Sequence, residues 1–246
     1  MATTNRIINP APPSLPLGTD QYERRYQDQY SNVLRLYFNQ LRNSLAELFG
    51  PNGGRYVEFP HIAASDNATQ YATAANTPTI VQWTTLDAGS GFTLNSNSTA
   101  TAQASGVYKI TYSLQFANND NAAHDAIVWL RVNGLVSSSA NDVPNSTTIF
   151  TVAARKSAGV PTYVAGYSEV VFSLNAGDSI GLWWGVTQAA TSGGATGIYM
   201  LAVPAQTSPM TYPAVPSAIG SITFVSALPT LYYQTTPILR GRYEPA

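Results

Sequence analysis

Residues 106–117 read Gly-Val-Tyr-Lys-Ile-Thr-Tyr-Ser-Leu-Gln-Phe-Ala. Tyr108, Ile110, Tyr112, Leu114 and Phe116 alternate with Val107, Lys109, Thr111, Ser113 and Gln115. A period of two places the first set on one face of a strand and the second on the other, so a strand that lays its aromatic and aliphatic residues on a core is expected here. The same period continues downstream, where Ile127, Trp129 and Arg131 alternate with Val128, Leu130 and Val132. Further strand-like runs cover 55–60, 79–84, 91–95, 126–133, 147–153, 162–174, 179–186 and 198–203. Turn signals rich in Asn, Asp, Gly and Ser punctuate them at 87–91, 118–121, 133–134, 175–178 and 192–194. This succession of strands with no helix between them predicts a mainly β fold, an antiparallel jelly-roll sandwich. No alternation of strand and helix is visible, which excludes a doubly wound sheet.

Outward from that region the chain changes character. Residues 1–19 carry Pro10, Pro12, Pro13 and Pro16, which fix φ and remove donors, so an extended arm is expected. It is either a free tail or an anchor that becomes ordered on a neighbour. Residues 20–50 read as one long helix. Asp20 with Glu23 resembles a capping box, Gly50 and Pro51 form a stop, and no Gly or Pro interrupts the interior. Tyr30, Leu34, Tyr37, Leu41, Leu45 and Leu48 fall on one face, widened by Tyr22, Tyr26, Val33, Phe38 and Phe49. An amphipathic helix needs a partner for that stripe. Two remain open, its own β domain and copies of itself. Residues 51–203 form the β domain. Residues 204–246 contain seven prolines between apolar pieces at 219–225, 228–233 and 238–239, and read as an extended arm lying on a surface. The alternative there is a last edge strand followed by a tail.

Composition narrows the function. Hydrophobic residues make up 44% of the 246, enough for a core, while charged residues make up 10% against roughly 25% in ordinary domains. A weakly charged surface dissolves poorly unless other subunits cover it. Net charge is −1 and the lysines are Lys109 and Lys156, so no basic stripe exists to neutralise a phosphate backbone and no nucleic-acid partner is expected. The chain has 0 cysteines, which removes disulfides, thiolate metal sites and a cysteine nucleophile. Residues 1–16 lack the basic-then-apolar order of a signal peptide. No run approaches the ~18 apolar residues of a membrane span. Synthesis in a cytoplasm, solubility there and no membrane partner are the corresponding expectations.

Catalytic signals are sparse. His61 and His124 are far apart and show no His-x-His spacing, so a cupin-like metalloenzyme has little support. Asn118, Asp120, His124 and Asp125 form a loop that could meet a ligand or a cation through oxygen atoms, although the spacing matches no calcium loop and turn chemistry accounts for it equally well. Asp178, in Asn-Ala-Gly-Asp, is expected to bind local backbone amides. No Gly-x-Ser-x-Gly elbow and no phosphate-binding Gly-x-x-x-x-Gly-Lys occurs, and no cofactor is expected. Trp129, Trp183, Trp184, Tyr108, Tyr112, Tyr163 and Tyr167 could stack on sugars or fill the core and subunit contacts. Asn67, Asn97 and Asn145 begin glycosylation triplets, which chance explains in a chain rich in Asn, Ser and Thr.

The stretch beginning at Gly106, the stretch Ile127-Val-Trp-Leu-Arg-Val-Asn-Gly and the stretch Phe172-Ser-Leu-Asn-Ala-Gly-Asp-Ser-Ile-Gly-Leu-Trp together resemble the tumour-necrosis-factor-like jelly roll, which includes complement-type globular heads. The resemblance implies a homotrimer with aromatic residues packed around a threefold axis. The chain is expected to depart from extracellular members, since residues 1–16 show no signal-peptide pattern and no collagen repeat is read in the sequence. The helix around Leu34-Arg-Leu-Tyr-Phe-Asn-Gln-Leu41 resembles short helices of tailed-bacteriophage structural proteins. That second resemblance implies a virion component. Neither carries a catalytic residue over. The resulting expectation is a non-enzymatic, homotrimeric virion protein that contacts capsid or tail proteins through its arms. A trimeric head binding a receptor or a host-surface glycan through residues 118–125 and 136–146 is the alternative.

Overall fold

The computed structural model describes residues 13–15, 21–49, 59–134, 139–191 and 196–228, with the side chains of 47–49 and 139 left out of the description. The chain divides into two compact units, one up to Phe59 and one from Pro60.

The first unit contains α1 (Arg24–Phe49), about 39 Å long at 1.5 Å per residue. It stops where Gly50 and Pro51 require. It starts four residues later than the expected Asp20: residues 21–23 are not helical, and the Glu23 carbonyl accepts the first-turn bond from the Gln27 N–H at 3.2 Å. The leading N–H groups of a helix have no internal partner, so nothing in the interior pattern ties the start to Asp20.

Among its described residues the second unit holds thirteen strands. In chain order they are β1 (His61–Asp66), β2 (Gln70–Tyr71), β3 (Thr79–Ile80), β4 (Thr85–Ser90), β5 (Phe92–Leu94), β6 (Ala100–Ala102) and β7 (Gly106–Asn118). They continue with β8 (His124–Val132), β9 (Thr148–Val152), β10 (Thr162–Leu174), β11 (Ser179–Val186), β12 (Ile198–Met200) and β13 (Ala218–Ser226).

Two antiparallel sheets result. In the first, β7 is the spine. β10 runs along one of its edges for all thirteen residues, while β13 and then β12 share the other. β1 and β4 continue the sheet beyond β13, and β2 lies beyond β12. In the second sheet β11 is the spine, with β8 and β9 on one side and β6, β5 and β3 on the other. Of the eight principal strands β1, β6, β7, β8, β9, β10, β11 and β13, the first pairs with the last, the second with the seventh, the third with the sixth and the fourth with the fifth. That nested pairing is a jelly roll.

The core lies between the sheets. Tyr108, Ile110, Tyr112, Leu114 and Phe116 of β7 are all buried, as the alternation requires, and face Val128, Leu130, Leu182 and Trp184 of the second sheet. An almost wholly apolar void of about 40 Å³, lined by Ile62, Trp83, Leu94, Ile110, Ile180 and Ile222 among others, remains between the sheets.

Three expectations change. Residues 218–226 are not part of an arm on a surface and not an edge strand: β13 sits between β7 and β1, inside the first sheet. Pro213 and Pro216 precede this strand in sequence and Pro229 follows it, so no proline falls within Ala218–Ser226 to prevent a central position. Residues 87–90 belong to β4, and the turn is confined to Gly91, whose φ of 68° suits glycine. Residues 100–102 and 61–66 are strands although their small side chains show little alternation. The run at 55–58, the turn at 192–194, residues 136–138 of the second loop and the arm residues 1–12, 16–19 and 229–246 lie outside the described residues.

Candidate functional site

Three surfaces bear on function: the helix stripe, the loop 118–125, and the outer face of the first sheet.

Every described side chain of α1 is at least partly exposed. Tyr30, Leu34, Tyr37 and Leu41 are half-buried, Leu45 is exposed, and the Leu48 side chain lies outside the description. Tyr26 stacks on Tyr30 with ring centres 6.1 Å apart. Leu36 and Phe38 extend the apolar surface and are 54% and 58% exposed. Polar bonds along the helix are local: Arg35 donates to Asn32 Oδ1 at 2.9 Å, and Arg24 stands 3.9 Å from Asp28 in full solvent. An exposed ion pair of that kind adds little stability.

The loop after β7 divides its four nominated residues. Asp120 and His124 meet, with Oδ2 2.7 Å from Nε2. The His124 bond first, and then the Asn121 N–H at 2.6 Å, hold the Asp120 carboxyl below the ordinary carboxylate range. Asp125 turns elsewhere and accepts the Thr151 hydroxyl at 2.7 Å. Asn118 departs from the expected role. It is fully buried, its amide donates to the carbonyls of Ala122, Val152 and Ala153, and its Oδ1 accepts the Asp120 N–H. A side chain committed to four backbone groups is a brace for the loop, with nothing left for a ligand. Among the described residues no three His, Asp or Glu side chains stand together as a metal site. His61 and His124 lie at opposite ends of the sandwich: His61 is beside Thr223, itself paired with Lys109, and His124 is paired with Val152, against which Asn118 packs. Nine residues of β7 separate those ends, about 30 Å of strand.

The described part of 136–146 is also tied down. Asn141 donates to the Val132 carbonyl, Ser146 accepts the Leu130 N–H, and Asp142 accepts both Arg131 Nε at 2.7 Å and Trp129 Nε1 at 2.9 Å. Arg131, 1% exposed, lies 4.3 Å above the Trp183 ring. These contacts sort the nominated aromatics. Trp184, Tyr108 and Tyr112 are core residues, Trp183 is covered by Arg131, and Trp129 is half-buried and held by Asp142.

Tyr163 and Tyr167 are different. They project from the outer side of β10 with Val171, and β13 adds Ile219 and Val225 to the same sheet. Exposure of these five runs from 47% at Ile219 to 61% at Tyr167. Register places Tyr167 and Ile219 on either side of Ser113, and Val171 and Thr223 on either side of Lys109. Ser113 of β7 thus lies between Tyr167 and Ile219, while Lys109, Thr111 and Gln115 keep much of that row polar, and one ion pair, Lys109 to Glu169 at 3.3 Å, crosses the face. Nearer the loop end, Tyr71 stacks on Tyr199 at 5.7 Å, and burial chiefly pushes the Tyr199 hydroxyl up. The sequence signal for this face is the run 162–174, where both faces of the strand carry apolar residues. One set covers the core and the other needs a second explanation.

No described helix is long and apolar enough to cross a membrane. No protein-family profile and no curated protein sequence matches the chain. Among solved structures it is similar to the Eiger TNF from S. frugiperda, at 13% identity and a TM-score of 0.42 over 70% of this chain and 97% of that one. It is also similar to the globular domain of zebrafish complement 1qA protein, at 17% identity and a TM-score of 0.37 over 70% of this chain and 100% of that one.

Proposed function

We propose that this chain is a homotrimeric structural protein of a virion, acting through assembly and not through chemistry. The observation that carries the reading is a pair of exposed apolar surfaces on a chain with 10% charged residues: the stripe of α1 and the outer face of β10 and β13. Fully burying a Val, Leu or Ile side chain from water yields about 1.5–3 kcal/mol, so Val171, Ile219 and Val225, each already about half covered, supply part of that apiece, to which Tyr163, Tyr167 and the helix stripe add before association costs are subtracted. Threefold closure is the arrangement that the resemblance to tumour-necrosis-factor-like heads implies.

Attachment to other virion proteins falls to residues 1–19 and to the chain beyond β13. The sandwich has a polarity that suits this. Its first residues and the end of β13 share one end, where the Phe224 N–H donates to the Pro60 carbonyl at 3.0 Å. The braced loop 118–125 belongs to the other.

Gold-labelled antibody against the sandwich, applied to intact particles of the source virus, tests the virion assignment. Label at fixed positions on the particle is expected. Label confined to soluble lysate would overturn it.

A further inference from the structure

The outer backbone edge of β10 is unpaired, with β9 of the second sheet beside it through side chains, where the Thr148 and Ser168 hydroxyls meet at 3.1 Å. All thirteen of its residues pair with β7, and among the described residues no backbone hydrogen bond reaches it from the other side. The strands at the other sheet margins are short: six residues in β4, five in β9, three in β5 and two in β2. Natural sheets blunt a long edge with Lys, Pro or a bulge. β10 contains no Lys and no Pro, its register runs without a shift, and Glu169 is its one charged residue. Such an edge is a template for a further strand.

We propose that residues 230–236 of a neighbouring copy complete this edge as an antiparallel added strand. The inference rests on the self-assembly reading above and names the partner of one of its surfaces. The segment reads Thr-Leu-Tyr-Tyr-Gln-Thr-Thr, five of seven residues being Thr or Tyr, which suit a strand. Pro229 and Pro237 bracket it, and each ends a ladder because it has no N–H to give.

The point of departure is also right. Ser226 of β13 lies opposite Val107 of β7, whose other neighbour is Ser173 near the end of β10. The tail therefore leaves at the end of the sheet where β10 finishes. Its own β10 edge is three strand spacings away, about 14 Å. The four steps from Ser226 to Thr230 span at most about 14 Å when fully stretched, which leaves nothing for turning into the strand direction. In a closed ring of copies the same edge of a neighbour need not lie across the width of the sheet.

The absence of cysteine makes the test clean. Full-length chains carrying Val171→Cys and, on a second chain with a size tag, Tyr232→Cys are co-expressed and treated with a short bismaleimide. A covalent heterodimer on a denaturing gel is expected, with the two cysteine peptides joined in its mass spectrum. Adding Tyr233→Pro to the tail-bearing chain should cut its yield about tenfold, because proline breaks the ladder. A single chain carrying both Val171→Cys and Tyr232→Cys is treated alongside, and cross-linking only within that chain overturns the neighbour assignment. So does a mixture that sediments as a trimer yet gives no heterodimer, and in that case the self-assembly reading survives. A chain that sediments as a monomer removes the reading itself.

Discussion

Asp66, at the end of β1, is 2% exposed, and its carboxylate accepts the Ala68 N–H, the Thr84 hydroxyl and the Gln70 amide at 2.9–3.0 Å. Its carbonyl accepts the Ser217 N–H just before β13, so one residue ties the first strand to the last. Removing the carboxylate strands several buried donors at once. Asp66→Ala is expected to cost about 2–4 kcal/mol. Urea unfolding checks this by a lower midpoint at an unchanged slope. Asp178 behaves differently because it is near solvent. The Asn133 amide, then the Asn175 N–H, lower its pKa. A carboxylate with a folded pKa below its unfolded one adds stability that is present above the unfolded value and lost as pH falls through the folded value. Asp178→Ala should therefore be less stable than the parent near neutral pH. The gap should shrink as pH drops below the ordinary carboxylate range, and a gap constant with pH would contradict this. Asp178 was readable from Asn-Ala-Gly-Asp because its partner Asn175 is three residues away. Asp66 was not, because Thr84 and Ser217 reach it from distant parts of the chain.

Among the elements, β7, β10 and β11 were legible almost to the residue, since long alternating runs leave little freedom in a strand's extent. β1 and β6 were not, because Ala and Ser carry too little contrast to show a period. Gly166, in the middle of β10, illustrates what glycine marks in a strand. A Cβ there would stand 2.8 Å from the Phe116 ring and 3.2 Å from that of Phe150. Both rings belong to the packed core, so Gly166→Ala should cost about 1–3 kcal/mol through overpacking, seen as a lower thermal midpoint. In α1 the stripe was readable by its spacing, although its partner was not, because a helix face records only that something apolar covers it. Leu41→Asp with Leu45→Asp is expected to separate the copies, read as a fall in sedimenting mass. An intact trimer of that variant in sedimentation would contradict the role given to the helix.

At the scale of the whole molecule, the jelly roll closes by pairing its first strand with its last, Asp66 with Ala218. Local pattern could not anticipate this. The prolines at 213, 216 and 229 gave residues 218–226 the look of an arm, and only long-range closure makes them a central strand. The same closure brings the first and last residues of the sandwich together and leaves, on the first sheet, one long edge with an unpaired backbone and an outer face carrying exposed apolar side chains. Under the proposed reading, a chain with so little charge and such surfaces is completed by copies of itself. Sedimentation equilibrium of the full-length protein at micromolar concentration tests that claim most directly. A mass three times the 26.3 kDa of the chain is predicted, and a stable species of 26.3 kDa would contradict the account.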